Sequence, residues 1–198
     1  MGQRLNIELF YNGERVANAY YHWSGFTSSA FDLTRQLIIN YDEFMSKDLP
    51  IQIKAILLLQ TTRAGLTEDE FKWAEENISQ FDEYKDILFR AVNRNEGLIA
   101  LSEDGMNETQ EWEEARVTIY LDDKKIDLDT FYIYESIEEF IENYGQEVAD
   151  KLSDFPYDFE WGYTFEEFMH LDMFYKIAWS NDVNAFKYQG NRVICGIE

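Results

Sequence analysis

The sequence has very few residues that cross-link or interrupt a chain. Its 198 residues include one cysteine, Cys195, and two prolines. A lone cysteine excludes an intrachain disulfide framework and is typical of a reducing compartment. The longest strictly apolar run, Ala55 to Leu59, is far shorter than the ~20 residues that span a bilayer. We therefore expect a cytoplasmic protein that has no membrane partner.

The motifs of familiar catalysis are missing too. The sequence has no G-x-S-x-G elbow, Walker loop or G-x-G-x-x-G fingerprint, which would position a nucleophile or hold phosphates. Its two histidines, His22 and His170, lie far apart, and with one cysteine they cannot form a zinc set. The loop from Asp122 to Asp129 lacks the glycine that a calcium loop needs at its sixth position. We predict a non-enzymatic protein without metal, cofactor or catalytic residue.

Negative charge is abundant and concentrated in one part of the chain. The net charge is −22, from 39 acidic and 17 basic residues. Glu103 to Asp172 holds 22 acids and four bases, whereas residues 1–65 hold six of each. The acidic segment is rich in aromatic residues, so we expect it to fold. Its field would attract a basic surface and repel phosphates, so we predict a protein partner and no direct nucleic-acid ligand.

Three turn signals predict β-hairpins. Asn12-Gly13 separates two β-rich runs, Asp122 to Lys125 separates another pair, and Gln189-Gly-Asn191 separates the last pair. The predicted class is α+β, with three antiparallel β-hairpins and intervening helices. We expect a single compact domain over residues 1–198, or two closely packed lobes, a neutral one at 1–65 and an acidic one at 66–198.

Helices are predicted between the hairpins. Apolar residues recur at helical spacing from Phe31 to Met45, and Pro50 precedes a short buried helix. The capping box that begins at Thr67 predicts a helix from about Glu68 to Phe81, followed by another from Glu83 to Asn93. Similar boxes at Ser136 and Thr164 predict two more helices, the last continuing to about Trp179.

The concentrated charge suggests an imitation of nucleic acid. The net −18 of the acidic segment corresponds to about 30 Å of duplex at one charge per ~1.7 Å. A globule of this length is about 40 Å across, so the match is attainable. The predicted partner-binding residues are Glu108, Glu111, Glu113, Glu114, Asp122, Asp123, Glu135, Glu138, Glu139, Glu142, Asp158 and Glu160.

The composition resembles that of small acidic DNA-mimic inhibitors, which phages and mobile elements use against restriction or CRISPR nucleases. Met1 to Thr27, with Gly2-Gln-Arg-Leu-Asn-Ile-Glu and Ala19-Tyr-Tyr-His-Trp-Ser, resembles uncharacterised phage accessory proteins of low-GC bacteria. These resemblances imply a phage or mobile-element inhibitor that acts in the host cytoplasm and occupies a basic, nucleic-acid-binding surface of a host defence protein. They assign no functional residue.

Two other functions stay open. A small enzyme with a carboxylate-lined pocket would act on a neutral or cationic substrate, and an adaptor would dock by exposed aromatics while its acidity served only solubility. The neutral first 65 residues, with Tyr20, Tyr21 and Trp23 expected at the surface, would supply core or oligomer contacts. A homodimer is the assembly that such contacts most often form.

Overall fold

The computed structural model describes residues 4–24, 27–90, 97–130, 161–170, 186–189 and 192–195, and it confirms the α+β class. The elements in chain order are β1 (Leu5–Tyr11), β2 (Glu14–Tyr21), α1 (Thr27–Met45), α2 (Ile51–Gln60), β3 (Gly65–Leu66), α3 (Glu68–Asn77), α4 (Phe81–Tyr84), β4 (Leu98–Ala100), α5 (Glu103–Gln110), β5 (Ala115–Tyr120), β6 (Lys125–Thr130), β7 (Trp161–Thr164), α6 (Phe165–His170), β8 (Phe186–Gln189) and β9 (Arg192–Cys195).

A seven-stranded mixed sheet forms the centre of the fold, with the strand order β3-β4-β2-β1-β5-β6-β7. The pairs β1–β5 and β3–β4 are parallel, and the other neighbours are antiparallel. Asn12 and Gly13, between β1 and β2, both have the positive φ that a tight turn requires. Strands β8 and β9 pair antiparallel in a separate small sheet. Because β1 and β2 lie between β4 and β5, strands from the neutral segment 1–65 and from the acidic segment 66–198 share one sheet.

The two faces of the central sheet differ in polarity. Side chains alternate between the faces of a strand, and Leu5, Ile7 and Leu9 of β1 lie on one face with no solvent exposure. They pair with Tyr21, Ala19 and Ala17 on β2 and with Ala115, Val117 and Ile119 on β5. The opposite face carries Asn6 and Glu8, which are also buried. One face therefore belongs to the hydrophobic core, and the other needs a polar cover.

Helices α1, α2 and α6 cover the apolar face. Leu9 and Ile119 of the sheet meet Leu37 of α1, Leu58 of α2 and Phe165 of α6. Burying side chains of this size contributes about 1.5–3 kcal/mol each. The neutral first third of the chain thus supplies much of the core, as its composition led us to expect.

Two predicted helices differ from the structure. The helix expected over Glu68 to Phe81 ends at Asn77, because Ile78 adopts an extended conformation with φ −96° and ψ 119°. The helix expected over Glu83 to Asn93 is wrong where it is described, since α4 ends at Tyr84 and a single 3-10 turn, Lys85–Ile87, leads to extended backbone. The local periodicity of these stretches is interrupted by the extended backbone at Ile78 and by the left-handed conformation of Gln80.

The capping box at Thr164 forms completely. Glu167 accepts hydrogen bonds from the backbone N–H and the hydroxyl of Thr164, at 2.8 and 2.9 Å, and its own N–H donates to that hydroxyl. This reciprocal arrangement satisfies donors that a helix start leaves unpaired. The continuation of this helix to Trp179, the helix at Ser136 and the aromatic run Phe131 to Tyr134 lie outside the described residues.

Because Tyr21 is buried, we expect the protein to lose stability at alkaline pH. Tyr21 is buried and shares a hydrogen bond with the hydroxyl of Thr62, and burial raises its pKa. A raised pKa in the fold means that the unfolded chain releases the phenolic proton first, so stability is complete below the unfolded pKa of about 10 and falls as pH rises above it. The expected slope is about 1.4 kcal/mol per pH unit.

Tyr21→Phe should lose about 1 kcal/mol at neutral pH, from the missing hydrogen bond, and should show a shallower alkaline decline. Urea unfolding at a series of pH values measures both effects, and Tyr84→Phe, at a partly exposed tyrosine, is the control. Identical alkaline slopes for the wild type and Tyr21→Phe would contradict the prediction.

Candidate functional site

The structure describes half of the predicted partner-binding residues. Glu135, Glu138, Glu139, Glu142, Asp158 and Glu160 lie outside the described residues. The other six form two groups at the ends of β5. Before the strand lie Glu108, Glu111, Glu113 and Glu114, and after it lie Asp122 and Asp123. Because a strand of six residues spans about 17 Å, the two described groups are not one cluster.

Three of these six carboxylates bind the chain itself. Glu114 accepts a hydrogen bond from the backbone N–H of Arg4 at 3.0 Å. Glu113 accepts one from the Asn6 side chain at 3.1 Å and pairs with Arg116 at 3.3 Å. Asp122 accepts one from the backbone N–H of Asn12 at 3.0 Å. These contacts stabilise strand ends and turns, whereas Glu108, Glu111 and Asp123 are exposed.

An acidic stripe runs along the outer side of α5 as far as its C-cap residue, Glu111. We define it as Asp104, Glu108 and Glu111, which are all exposed. Their spacing of i, i+4 and i+7 places them on one side of the helix. Met106 and Thr109, on the opposite side, are buried. Within the described residues, the members of the acidic stripe form no ion pair.

Helix α5 is fixed to the neighbouring helix α3 at its first turn. Ser102 is the N-cap and accepts a hydrogen bond from the Gly105 N–H at 3.1 Å. One oxygen of the Glu70 carboxylate accepts from the backbone N–H groups of Leu101 and Ser102, at 2.9 and 3.0 Å. The other oxygen accepts from the Ser102 hydroxyl at 2.6 Å. Glu70 therefore sets the position where α5 begins.

The polar face of the sheet holds the underside of α5. Asn18 of β2 donates to the Thr109 hydroxyl at 2.8 Å, and Asn6 of β1 donates to the Thr109 carbonyl at 3.0 Å. Arg15 pairs with buried Glu8 at 3.1 Å and also donates to Asn107 at 2.6 Å. Since buried polar groups are costly unless they are paired, these contacts fix the helix in one orientation.

A cleft of about 820 Å³ opens beside α5, at the end of the sheet where β2 and β4 meet α3. Its aromatic wall consists of Tyr20, His22 and Trp112. Tyr20 and Trp112 make an edge-to-face contact with ring centroids 5.7 Å apart. Trp112 is 40% exposed, whereas Tyr20 is 7% exposed. The indole thus presents ring surface to the cleft on a rigid support.

The hydroxyl of Tyr20 and the Nδ1 atom of His22 are 3.1 Å apart. Burial raises the pKa of Tyr20, Arg4 acts in the opposite direction, and Glu114 adds to the rise. The phenol is therefore neutral at physiological pH, and it orients the imidazole at the edge of the cleft.

The remaining wall of the cleft is acidic. Asp69, Glu70 and Glu108 line it, and the first and last of these have exposed carboxylates. Arg4 is the opposing cation, and its guanidinium donates to the Trp112 carbonyl at 3.4 Å. Three carboxylates against one guanidinium give the cleft a net negative charge. Since Glu108 belongs to the acidic stripe as well, the stripe and the cleft form one continuous acidic surface.

The sequence did not indicate several residues of the cleft and of α5. Tyr20 and Tyr21 are buried, at 7% and 3% exposure, so their predicted surface location is wrong, whereas Trp23 is 54% exposed. Helix α5 itself was not predicted. Its signal was Ser102 followed by two acids, which is typical of a capped first turn. Asp69 gave no signal, because its contribution depends on the packing of α3 beside α5.

Comparison with protein-family models, with curated proteins and with solved structures found no match. Among the described residues, no group of histidine, cysteine, aspartate or glutamate side chains has the arrangement of a metal site. A search of the same part of the chain found no helix with the length and apolar character needed to cross a membrane. The function must therefore be argued from the acidic surface alone.

Proposed function

We propose that this protein is a non-enzymatic binding protein whose acidic surface occupies the basic, nucleic-acid-binding surface of a partner enzyme. The acidic stripe on α5 is the observation that supports this most directly. Given the compositional resemblance to acidic counter-defence inhibitors, the partner that we propose is a nuclease of a host defence system.

The linear charge spacing of the acidic stripe is of the same order as that of one DNA strand. Asp104 and Glu111 are seven residues apart, which is about 10 Å along a helix axis. Three carboxylates over that length have a mean spacing of about 5 Å, whereas one strand of duplex DNA carries a charge about every 3.4 Å. A surface that binds phosphates would thus find carboxylates at a spacing of the same order.

The anchoring of α5 supports the same proposal. A charged ligand that must be ordered on binding loses part of its affinity to that ordering. Here the helix is held at its first turn by Glu70 and along its underside by Asn6, Asn18 and Arg15. The carboxylates of the acidic stripe therefore lie on a helix that is already fixed in the free protein, so that binding does not have to order it.

The proposal is tested by displacement from DNA. The probe is a peptide of alternating lysine and arginine bound to a fluorescent DNA duplex, and the protein is titrated into it. We expect release of the duplex at low ionic strength. Because salt alone also dissociates the peptide from DNA, the salt dependence is measured as the affinity of the protein for the free peptide, which should fall as added salt shortens the Debye length below about 8 Å. Asp104→Asn, Glu108→Gln and Glu111→Gln together should weaken displacement about tenfold, since exposed charges contribute ~1 kcal/mol or less each.

The matched control changes three exposed carboxylates elsewhere, Asp48→Asn, Glu76→Gln and Glu83→Gln, and so removes the same total charge. It should displace the peptide nearly as well as the wild type. Equal weakening in both triple variants would mean that only net charge matters and would contradict a specific face. A wild-type protein that releases no duplex would overturn the proposal itself.

A further inference from the structure

We propose that the cleft beside α5 is a binding site for an arginine side chain, presented by an exposed segment of the partner protein. This inference rests on the proposed function and assigns a recognition element to it. It places the arginine against the ring of Trp112, with the carboxylates of Asp69 and Glu108 on the acidic wall.

The negative charge of the cleft requires a ligand with a positive charge. Asp69, Glu70 and Glu108 line the cleft, and the guanidinium of Arg4 is engaged with the Trp112 carbonyl at 3.4 Å. The carboxylate of Glu70 is engaged by Leu101 and Ser102. Asp69 and Glu108 have no hydrogen bond or ion pair within the described residues, so they are the acceptors that an incoming cation would meet. A phosphate or carboxylate ligand would be repelled by the same groups.

The aromatic wall selects arginine over lysine. A guanidinium is planar and weakly hydrated, so it stacks on an indole face while its N–H groups bind carboxylates in pairs. An ammonium group is a compact, strongly hydrated charge without a flat face, so it can contact a ring and a carboxylate but cannot stack on the ring or bind a carboxylate through a rigid fork of N–H groups. Trp112 offers the exposed ring, and its edge-to-face contact with buried Tyr20 holds that ring in place. Attraction of a cation by charge alone would require the carboxylates but not an indole ring held in a fixed position.

The size of the cleft indicates that the arginine arrives as part of a polypeptide. A volume of about 820 Å³ lies within the range of about 300–1,000 Å³ that holds drug-sized ligands. It is therefore larger than one side chain requires. The space around Arg4, Leu98 and Thr67 would take the backbone on either side of the arginine. Because Glu108 is shared, a segment seated in the cleft would continue along the acidic stripe.

The test compares three labelled peptides that share a short glycine- and serine-rich frame and differ at one central position. That position is arginine, lysine or citrulline, and two flanking lysines provide a constant background charge. Fluorescence anisotropy with the full-length protein measures the affinities at low and moderate salt. We expect the arginine peptide to bind about tenfold more tightly than the lysine peptide, and the citrulline peptide to bind most weakly.

Two pairs of variants locate the site. Glu108→Gln removes a carboxylate that lines the cleft, whereas Glu111→Gln removes one that belongs to the acidic stripe but does not line the cleft. Trp112→Ala removes the exposed indole, and Phe89→Ala removes a similarly exposed aromatic away from the cleft. The first member of each pair should lower the affinity for the arginine peptide about tenfold, and it should also abolish the preference over lysine.

The outcomes separate the two proposals. If all three peptides bind equally and the members of each pair behave alike, the arginine site is wrong, while salt-sensitive binding of all three would leave the proposed function standing. If no peptide binds at low salt and the protein also fails to release DNA from the basic peptide, both proposals fall. An arginine preference that survives Trp112→Ala would refute the role of the indole, and with it this inference.

Discussion

Replacing Phe168 by alanine should lower the free energy of unfolding by about 3–5 kcal/mol, the range typical of phenylalanine truncation in a packed core. Phe168 lies on α6 and has no solvent exposure. Its ring stacks on Phe31 of α1 with centroids 4.7 Å apart and contacts Tyr163 of β7 edge to face at 6.1 Å. One side chain thus links the last described helix of the acidic segment to the neutral part of the chain.

Urea denaturation followed by circular dichroism measures this effect. Phe168→Leu fills more of the same space and should lose about 1.5 kcal/mol or less. Met169→Ala is the matched control, because this neighbour on the same helix is 38% exposed, and surface substitutions usually change stability by about 0.5 kcal/mol or less. If Phe168→Ala and Met169→Ala were equally stable, α6 would contribute little to the hydrophobic core, contrary to the packing described above.

The elements that were predictable from the sequence are those whose signal is local. Leu5, Ile7 and Leu9 alternate with buried polar residues, and the alternation predicts a strand because a strand turns successive side chains to opposite faces. Asn12 and Gly13 tolerate positive φ, and the structure gives both residues that conformation. The capping residues Thr67 and Thr164 each accept a backbone N–H from three residues on. No distant contact is needed to explain any of these features.

Helix α5 could not be predicted in the same way, because it lacks an apolar stripe. Of its inward residues, Met106 is apolar and Thr109 is polar, so the usual helical periodicity is weak. The helix is stabilised by Asn6 and Asn18, about 90 to 100 positions earlier in the chain. Such contacts cannot be inferred from a window of neighbouring residues. The same limitation hid the parallel pairing of β1 with β5.

The candidate site shows this limitation most clearly. The acidic composition alone indicates Glu108 and Glu111, but it indicates Glu113 and Glu114 equally, and the structure shows these two bonded to other parts of the chain. The cleft combines residues from five separate stretches, near positions 4, 20, 69, 99 and 108. Its aromatic wall was hidden because Tyr20 was expected at the surface. Composition therefore indicated the charge of the ligand that we propose, and the packing of α5 indicated where we place it.

Glu70→Gln should be the most damaging single change near the cleft, with a loss of about 2–4 kcal/mol in folding stability. Three donors converge on this carboxylate, the N–H groups of Leu101 and Ser102 and the hydroxyl of Ser102. An ionised carboxylate has acceptors only, whereas an amide has one oxygen and an NH₂ group that donates. Glutamine would keep one oxygen for the two N–H groups, but its NH₂ group could not accept from the Ser102 hydroxyl, which would have to turn and accept instead. All three hydrogen bonds would also lose the charge of their acceptor, and hydrogen bonds to charged groups contribute about 1.5–3 kcal/mol each, against about 0.5–1.5 kcal/mol for neutral ones.

Glu70→Gln should also lower the affinity of the cleft for the arginine peptide, because Glu70 connects α3 to the start of α5. Urea unfolding gives the stability, and affinity for the arginine peptide, measured under conditions where the variant is folded, reports the position of α5. Asp69→Asn is the matched control for stability, since it changes the adjacent exposed carboxylate and should leave stability within about 0.5 kcal/mol of the wild type. The control for affinity is Glu76→Gln, an exposed carboxylate of α3 outside the cleft, because Asp69 is itself a proposed ligand of the arginine. Gly105→Ala tests the same junction from the other side, because an added Cβ would collide with the Glu70 carboxylate. If Glu70→Gln were as stable as Asp69→Asn, the three hydrogen bonds to Glu70 would not fix the position of α5. The polar face of the sheet would then be the part of the structure that holds α5 and its acidic stripe in place.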